Sequence, residues 1–238
     1  MPLPLAGANY LDVRPSRAMA RGRVAGATDA GAGLAIRPGR AHVERTDLAN
    51  LESLSLEQFR PYVTGIYTKY FWSKPGEEHY KLLAHFSTHY HGATFIDLGT
   101  SFGCSALALA YNPANRVISY DLEDKKEAAI DLPNVEFRVK NALEDGDQLL
   151  ASPLILLDTY HDGVFEQEMY DFLSRNNYTG LLLLDDIHVN PAMQQFWSGV
   201  SHTKLDLTTW GHWSGTGLVV FDMASSTLLG SLLTPSAA

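Results

Sequence analysis

Two short segments of the 238-residue chain concentrate groups that can do chemistry. The apolar run Pro153-Leu-Ile-Leu-Leu157 ends in Asp158-Thr-Tyr160-His161-Asp162, and Gly180-Leu-Leu-Leu-Leu184 ends in Asp185-Asp186-Ile-His188. Continuous apolar runs of this length are strands covered on both faces. The 27 residues from Asp158 to Asp185 amount to one helix plus two turns, so the acids emerge side by side from one sheet edge. That edge, at the carboxyl ends of the strands, is where open α/β sheets place their sites. Three carboxylates crowded at one rim repel unless they are protonated or bridged by a cation. Hard oxygen ligands with open positions suit Mg²⁺ best, with Mn²⁺ or Ca²⁺ as substitutes. The other reading of Asp158 and Asp185 is as helix-capping acids in ordinary strand–helix loops.

A second chemical signature lies upstream. The apolar run Ala93-Thr-Phe-Ile96 enters Asp97-Leu-Gly99-Thr-Ser101-Phe-Gly103-Cys-Ser105 and then a helical stretch, Ala106–Tyr111. Gly99 and Gly103 remove Cβ atoms where a ligand would approach the backbone, and the helix that follows points free N–H groups at an anion. Asp121 stands 24 residues after Asp97 and closes the strand run Arg116–Tyr120, a position from which an acid binds both hydroxyls of a ribose. The phosphate-binding G-x-G-x-x-G fingerprint is not met, because Leu98 stands where its first glycine belongs.

The elements that position these groups alternate. Strand runs at 94–98, 116–121, 135–139, 153–158 and 180–185 are separated by helical stretches, notably 163–175 and 190–199. Such alternation predicts a doubly wound, mostly parallel α/β sheet. Two more runs, 203–210 and 216–221, are joined only by Gly211-His212-Trp213-Ser214-Gly215. Five residues cannot make a parallel crossover, so the seven-stranded sheet ends in an antiparallel hairpin. Upstream, Thr46 caps a helix over 47–51, Ser55-Leu-Glu-Gln58 is a capping box opening a second, and 77–86 forms a third with an apolar face. The expected organisation is a disordered leader at 1–40, a helical cap at 41–92, a ligand-binding core at 93–223 and a tail at 224–238.

Composition narrows the function classes. With 45% hydrophobic and 19% charged residues the chain can bury one good core. The net charge of −9 is uneven: residues 1–40 hold six Arg against two Asp, for +4, leaving −13 on the remainder. So acidic a domain is a poor partner for nucleic acid, and no apolar run approaches the length of a membrane span. The leader's Arg-rich, acid-poor composition also fits an organelle transit peptide, but Ser16 is its one serine, which favours a cytoplasmic location. The single Cys104 excludes an internal disulfide and reads as a small buried residue. His85, His89 and His91 have a zinc-like spacing but no further ligand to close a site. Self-association is left open.

The acid-x-G-x-x-x-G form of Asp97–Gly103 resembles motif I of class I S-adenosylmethionine (SAM) methyltransferases. Together with the acids it is similar to the metal-dependent O-methyltransferases of catechol and macrolide-sugar type, over residues 62–222. The resemblance implies a Rossmann-like sheet with a reversed last strand and SAM as cofactor. It places Asp97, Gly99, Ser101, Gly103, Ser105 and Asp121 on SAM, with Tyr160 against the adenine. It puts Mg²⁺ or another divalent cation on Asp158, Asp185 and Asp186, where catechol enzymes end in Asp-Asn and macrolide-sugar enzymes in two acids, as here. The base lies three residues after the first ligand, at His161. The implied acceptor is a small molecule with a diol-like pair of oxygens. His188 is an alternative base or substrate contact, and His212 and Trp213 form a substrate wall in the glycine-bounded turn. Two other readings share these residues: a metal-independent N-methyltransferase or another enzyme on the same fold, and a non-catalytic SAM-binding module.

Overall fold

A computed structural model describes residues 49–74 and 76–222; the expected leader, the tail and Thr46 lie outside them. Within the described residues run α1 (Gly76–Thr88), β1 (Thr94–Leu98), α2 (Cys104–Leu109), β2 (Arg116–Asp121), β3 (Val135–Val139), α3 (Gly146–Ala151), β4 (Leu154–Leu157), α4 (Val164–Arg175), β5 (Leu181–Asp185), α5 (Pro191–Gly199), β6 (Thr203–Asp206) and β7 (Thr216–Val220). The strands form one sheet in the order β3-β2-β1-β4-β5-β7-β6. Every pairing is parallel except those of β7, which runs antiparallel to both neighbours. This is the doubly wound sheet with a reversed final strand that the sequence predicts.

The leucine runs explain why β4 and β5 sit at the centre. All of their residues are buried, and successive side chains point to opposite faces of a sheet. Leu154, Leu156, Leu181 and Leu183 pack on one side with Leu82, Leu83 and Leu107. Ile155, Leu157, Leu182 and Leu184 pack on the other with Met169, Leu173, Met193 and Phe196. The predicted sixth strand, 203–210, stops at Asp206, because Asp206 accepts from the Thr208 backbone N–H (3.0 Å) and the chain turns there.

The N-terminal cap departs from expectation. The predicted helices at 47–51 and from Ser55 are short 3₁₀ turns, Ala49–Ser53 and Glu57–Phe59, and a further one spans Ile66–Trp72. Ser55 Oγ does accept from the Glu57 N–H at 3.3 Å, but Gln58 donates to the distant Tyr111 carbonyl instead of closing the capping box. Aromatic packing replaces helix propensity here. Phe71 stacks on Tyr80 at 4.7 Å and meets Phe59 edge-on at 5.9 Å, which ties the cap to α1.

The glycine turn after β1 is built differently from the sequence reading. A Cβ on Gly99 (φ +99°) would lie 1.6 Å from the Asp158 carbonyl oxygen, and one on Gly103 (φ +86°) would lie 2.8 Å from Ile130 Cδ1. Both glycines are therefore demanded by chain-on-chain packing and a left-handed backbone. Asp97 is fully buried: Oδ2 accepts from Ser119 Oγ at 2.5 Å, Thr100 Oγ1 lies 2.6 Å from the same hydroxyl, and Oδ1 has no hydrogen-bond partner. Ser105 is buried beside it. Asp97, Gly103 and Ser105 are buried and brace the turn from behind. Among the described residues no helix is long and apolar enough to cross a membrane.

Burial pushes the Asp97 carboxyl up to about 7, with the Ser119 and Ser105 hydroxyls pulling against that rise. The folded chain then holds a proton that the unfolded chain loses near its ordinary 3.8, so this group lowers stability as the pH rises from about 4 to about 7. Asp97→Asn should gain on wild type by about 1–3 kcal/mol across that window in urea unfolding. A gap that does not change with pH would show that Asp97 is ionised in the folded protein at both ends of the window.

Candidate active site

Strand register assembles the acids. Leu157 pairs with Leu184, so Asp158 and Asp185 leave β4 and β5 side by side, with Asp186 next in line. Asp185 in turn pairs with Thr216 across the antiparallel β5–β7 ladder, which lays the Gly211–Gly215 turn over the same edge. His161 Nε2 stands 3.2 Å from Asp158 Oδ1 and its Nδ1 3.6 Å from Asp186 Oδ2. His212 Nδ1 lies 3.0 Å from Asp186 Oδ1 and 3.6 Å from Asp185 Oδ1, and Ser214 Oγ donates to the same Asp186 oxygen. The first turn of α1 adds His79, whose Nδ1 is 3.7 Å from Asp185 Oδ1.

Burial and charge divide these groups. Asp185 is 6% exposed, and burial, then the charges of Asp158 and Asp186, hold its carboxyl well above the usual range. Burial acts the same way on Asp186, but hydrogen bonds from His212 and Ser214 and the nearby His161 outweigh it and lower that carboxyl. Burial disfavours a charged His161; Asp158 beside it and the charges of Asp186 and Glu166 overcome this and raise its pKa. His79 is driven down to about 4, by burial above all, and is a neutral imidazole at neutral pH. His79 Nδ1 and Asp185 Oδ1 face each other buried and without hydrogen-bond partners.

Two groups of potential metal ligands share Asp185: His79, Asp158 and Asp185, and His161, Asp185 and Asp186, each with donor atoms within 4.8 Å of one another. Three orphaned, buried donor atoms in these groups, His79 Nδ1, His161 Nε2 and Asp185 Oδ1, fit a divalent cation, since each would otherwise bear an uncompensated desolvation cost. Among the described residues no other such group exists. His85 and His89 instead meet edge-on at 4.5 Å, with His89 Nδ1 2.9 Å from the His85 carbonyl.

The loops that present the site are strained and tied down. His161 (φ 56°) and Asp186 (φ 58°) occupy the left-handed region, which non-glycine residues keep only when their surroundings enforce it. Glu166, 1% exposed on α4, accepts from Thr159 Oγ1 at 3.0 Å and from the His161 backbone N–H at 3.1 Å. Asn190 donates to the His161 carbonyl at 2.7 Å while its Oδ1 caps α5 through the Met193 N–H. Sequence reasoning missed His79, Glu166 and Asn190. The signal was there for two of them: His79 lies one turn before Leu83 on the buried face of α1, and Glu166 shares the spacing of buried Met169, Tyr170 and Leu173.

The remaining expected site residues fall into two places. Asp121 is half-buried at the end of β2, accepting from the Ser101 N–H (2.8 Å) and the Glu123 N–H (3.2 Å), with lone pairs to spare. Ser101 is exposed, and Tyr160, 60% exposed, is near enough to act on the charge of Lys125, whose main partner is Glu123. A half-buried carboxylate with lone pairs to spare and an exposed aromatic are groups that fit a nucleoside. His212 belongs to the acid cluster more than to a substrate wall, while Trp213, 70% exposed, packs edge-on to it at 5.8 Å. His188 is turned away from the cluster: its Nε2 meets Asp206 Oδ2 at 2.8 Å, drawn there by the β6 acid. Cys104 is buried with its thiol pushed up to about 12, chiefly by burial, which makes it inert. A cleft of about 220 Å³ opens at the opposite rim, beside Pro153 and Gly180, but lies far along the strands from the acids.

No protein-family model matches the chain, and no curated protein does. Among solved structures it is similar to the SAH-bound methyltransferase PaMTH1 of Podospora anserina, with 14% identity, 76% of this chain and 89% of that chain covered, and a TM-score of 0.48. It is also similar to the O-methyltransferase TomG of Streptomyces achromogenes, solved with SAM, with 16% identity, 74% and 90% covered, and a TM-score of 0.42. Likenesses below a TM-score of 0.5 carry no weight of their own, and the site is read from its residues.

Glu166 is expected to act on the site through the His161 backbone. Glu166→Ala should cost about 1–3 kcal/mol by leaving the partly buried His161 N–H unpaired, whereas Glu166→Gln, which keeps the acceptor oxygen, should cost much less. Urea unfolding of both variants, with the His161 titration followed by NMR, checks this. Equal losses in the two variants would show that the charge of Glu166, not its hydrogen bond, is what matters.

Proposed function

We propose that the chain is a SAM-dependent methyltransferase that acts on a hydroxyl of a small-molecule acceptor, with a divalent cation held by Asp158, Asp185 and Asp186. The observation that carries this reading is the contact between the two candidate sites. Asp158 donates its backbone N–H to Leu98 at 2.9 Å, and its carbonyl occupies the space that a side chain at position 99 would fill. The glycine turn and the acid cluster therefore abut, as a methyl donor and an acceptor must.

Each residue then has a definite task. Asp121 accepts hydrogen bonds from the two ribose hydroxyls, Ser101 lines the turn beside it, and Tyr160 lies on the adenine. SAM supplies an electrophilic methyl on a positively charged sulfur. A divalent cation, when bound, supplies positive charge that favours the anionic form of the acceptor. His161 takes the proton from the acceptor hydroxyl, and Asp158 beside it stabilises the imidazolium that results. Asp186 is held in one orientation by His212 and Ser214, which keeps its free oxygen turned toward His161. Trp213 walls the open side against water. The acceptor oxygen then forms its bond to carbon as the carbon–sulfur bond breaks, with positioning and charge compensation as the main sources of rate. Transfer to a nitrogen without metal would leave His79 and Asp185 orphaned, which favours the metal-assisted reading.

Calorimetry should show SAM binding to the wild type, weakened in Asp121→Ala by the loss of one or two charge-assisted hydrogen bonds, each about 1.5–3 kcal/mol. Chelation should abolish turnover while SAM stays bound, and His161→Ala should lower the rate roughly 10²–10⁴-fold with metal binding intact. Binding of NAD in place of SAM would overturn the proposal, and full activity in excess chelator would overturn its metal part.

A further inference from the structure

We propose that His79 is a metal ligand, which makes the cation site a mixed nitrogen–oxygen centre closed by the N-terminal helix and not the all-oxygen site of the sequence reading. The inference rests on the metal-assisted reading above and adds to it both a ligand and a metal preference.

The argument starts from an imbalance. His79 lies in the first turn of α1, 5% exposed, with Nδ1 buried and unpartnered. Its nearest carboxyl oxygen is Asp185 Oδ1, 3.7 Å away and equally unpartnered. That distance is too long for a hydrogen bond. It is within the span of two donors on one cation, which at about 2.1 Å each can stand at most about 4.2 Å apart. Asp158 completes a three-residue group with them. The helix is rigidly placed: Leu82, Leu83 and Phe86 are fully buried in the core, and Tyr80 is stacked on Phe71. His79 thus cannot turn out to solvent to satisfy its nitrogen without moving α1. On the other side of Asp185, His161 has Asp158 and Asp186 within reach and His212 has Asp186 and Ser214. Two of the three imidazoles at this edge, His79 and His161, have a buried ring nitrogen without a hydrogen-bond partner; His161 Nε2 still has Asp158 at 3.2 Å, whereas His79 has no carboxylate oxygen nearer than 3.7 Å.

An imidazole ligand changes the chemistry of the site. Carboxylates alone suit Mg²⁺ and Ca²⁺, whereas imidazole favours the later first-row ions. A site of one imidazole and two or three carboxylates should therefore prefer Mn²⁺, Fe²⁺ or Co²⁺ to Mg²⁺. It also ties cation binding to the cap, because α1 must be docked for the site to be complete.

The test uses the full chain and Mn²⁺ alone. Calorimetry gives Mn²⁺ and Mg²⁺ affinities, and pulsed EPR of the Mn²⁺-loaded protein detects directly coordinated nitrogen. The expected result is Mn²⁺ binding tighter than Mg²⁺ with a nitrogen signal that persists in the double variant His161→Ala/His212→Ala, a comparison that leaves buried His79 untouched. His79→Gln should remove that signal and weaken Mn²⁺ at least about tenfold, while Mg²⁺ affinity changes far less. Mn²⁺ bound without coordinated nitrogen, or with a signal that survives His79→Gln or vanishes in the double variant, overturns the inference and leaves the proposed function standing. Failure of the wild type to bind either metal overturns this inference and the metal part of the proposed function together, while SAM binding, measured separately, keeps the methyltransferase reading in view.

Discussion

The rest of the site follows from like charges that the sheet forces together. Pairing Leu157 with Leu184 leaves Asp158 and Asp185 no choice but to leave the strands as neighbours, and Asp186 follows directly. Carboxylates a few ångströms apart in a place largely closed to water cannot all stay ionised without compensation. The protein answers part of that demand itself. His212 and Ser214 bond Asp186, and His161 reaches Asp158 from a left-handed backbone that Glu166 and Asn190 hold in place. Asp185 Oδ1, His79 Nδ1 and His161 Nε2 are left without hydrogen-bond partners, and on those unmade hydrogen bonds the proposal of a cation at this edge rests.

The antiparallel β7 is the second constraint. Had the last strand run parallel, the turn that precedes it would open at the far rim. Because β7 is reversed, Asp185 pairs with Thr216, and the His212–Ser214 segment is laid over the acids. The reversed strand thus has a local electrostatic consequence: it delivers the donors that keep Asp186 ionised beside a more nearly neutral Asp185.

Much of this was legible in the chain, for physical reasons. Uninterrupted leucines read as doubly covered strands, and a short link as a hairpin, so five strand runs match the structure to within a residue and the reversed ending matches in topology, although β6 stops four residues short of the run that predicts it. The acids were readable because strand ends are where side chains become free of the sheet. What the sequence did not show shares one cause: burial decided by distant packing. Gly99 and Gly103 are pressed on Asp158 and Ile130. Asp97 and Ser105 are buried and brace the turn from behind. The capping pattern at Ser55 gave way to aromatic packing on Phe71. His79 went unnoticed because its partners come from a strand about a hundred residues later in the sequence, and no local pattern encodes that meeting.

The central claim is that the carboxylates ending β4 and β5 form a cation site abutting the SAM turn. Anomalous diffraction from a crystal soaked in Mn²⁺ and SAM tests it most directly. The account requires one strong peak among Asp158, Asp185 and Asp186, within coordination distance of His79 Nδ1, with SAM lying along the Gly99–Gly103 turn and its methyl facing that peak. A map without a peak at the three carboxylates, or with SAM bound elsewhere, would contradict it and leave the acids as caps on the loops that follow their strands.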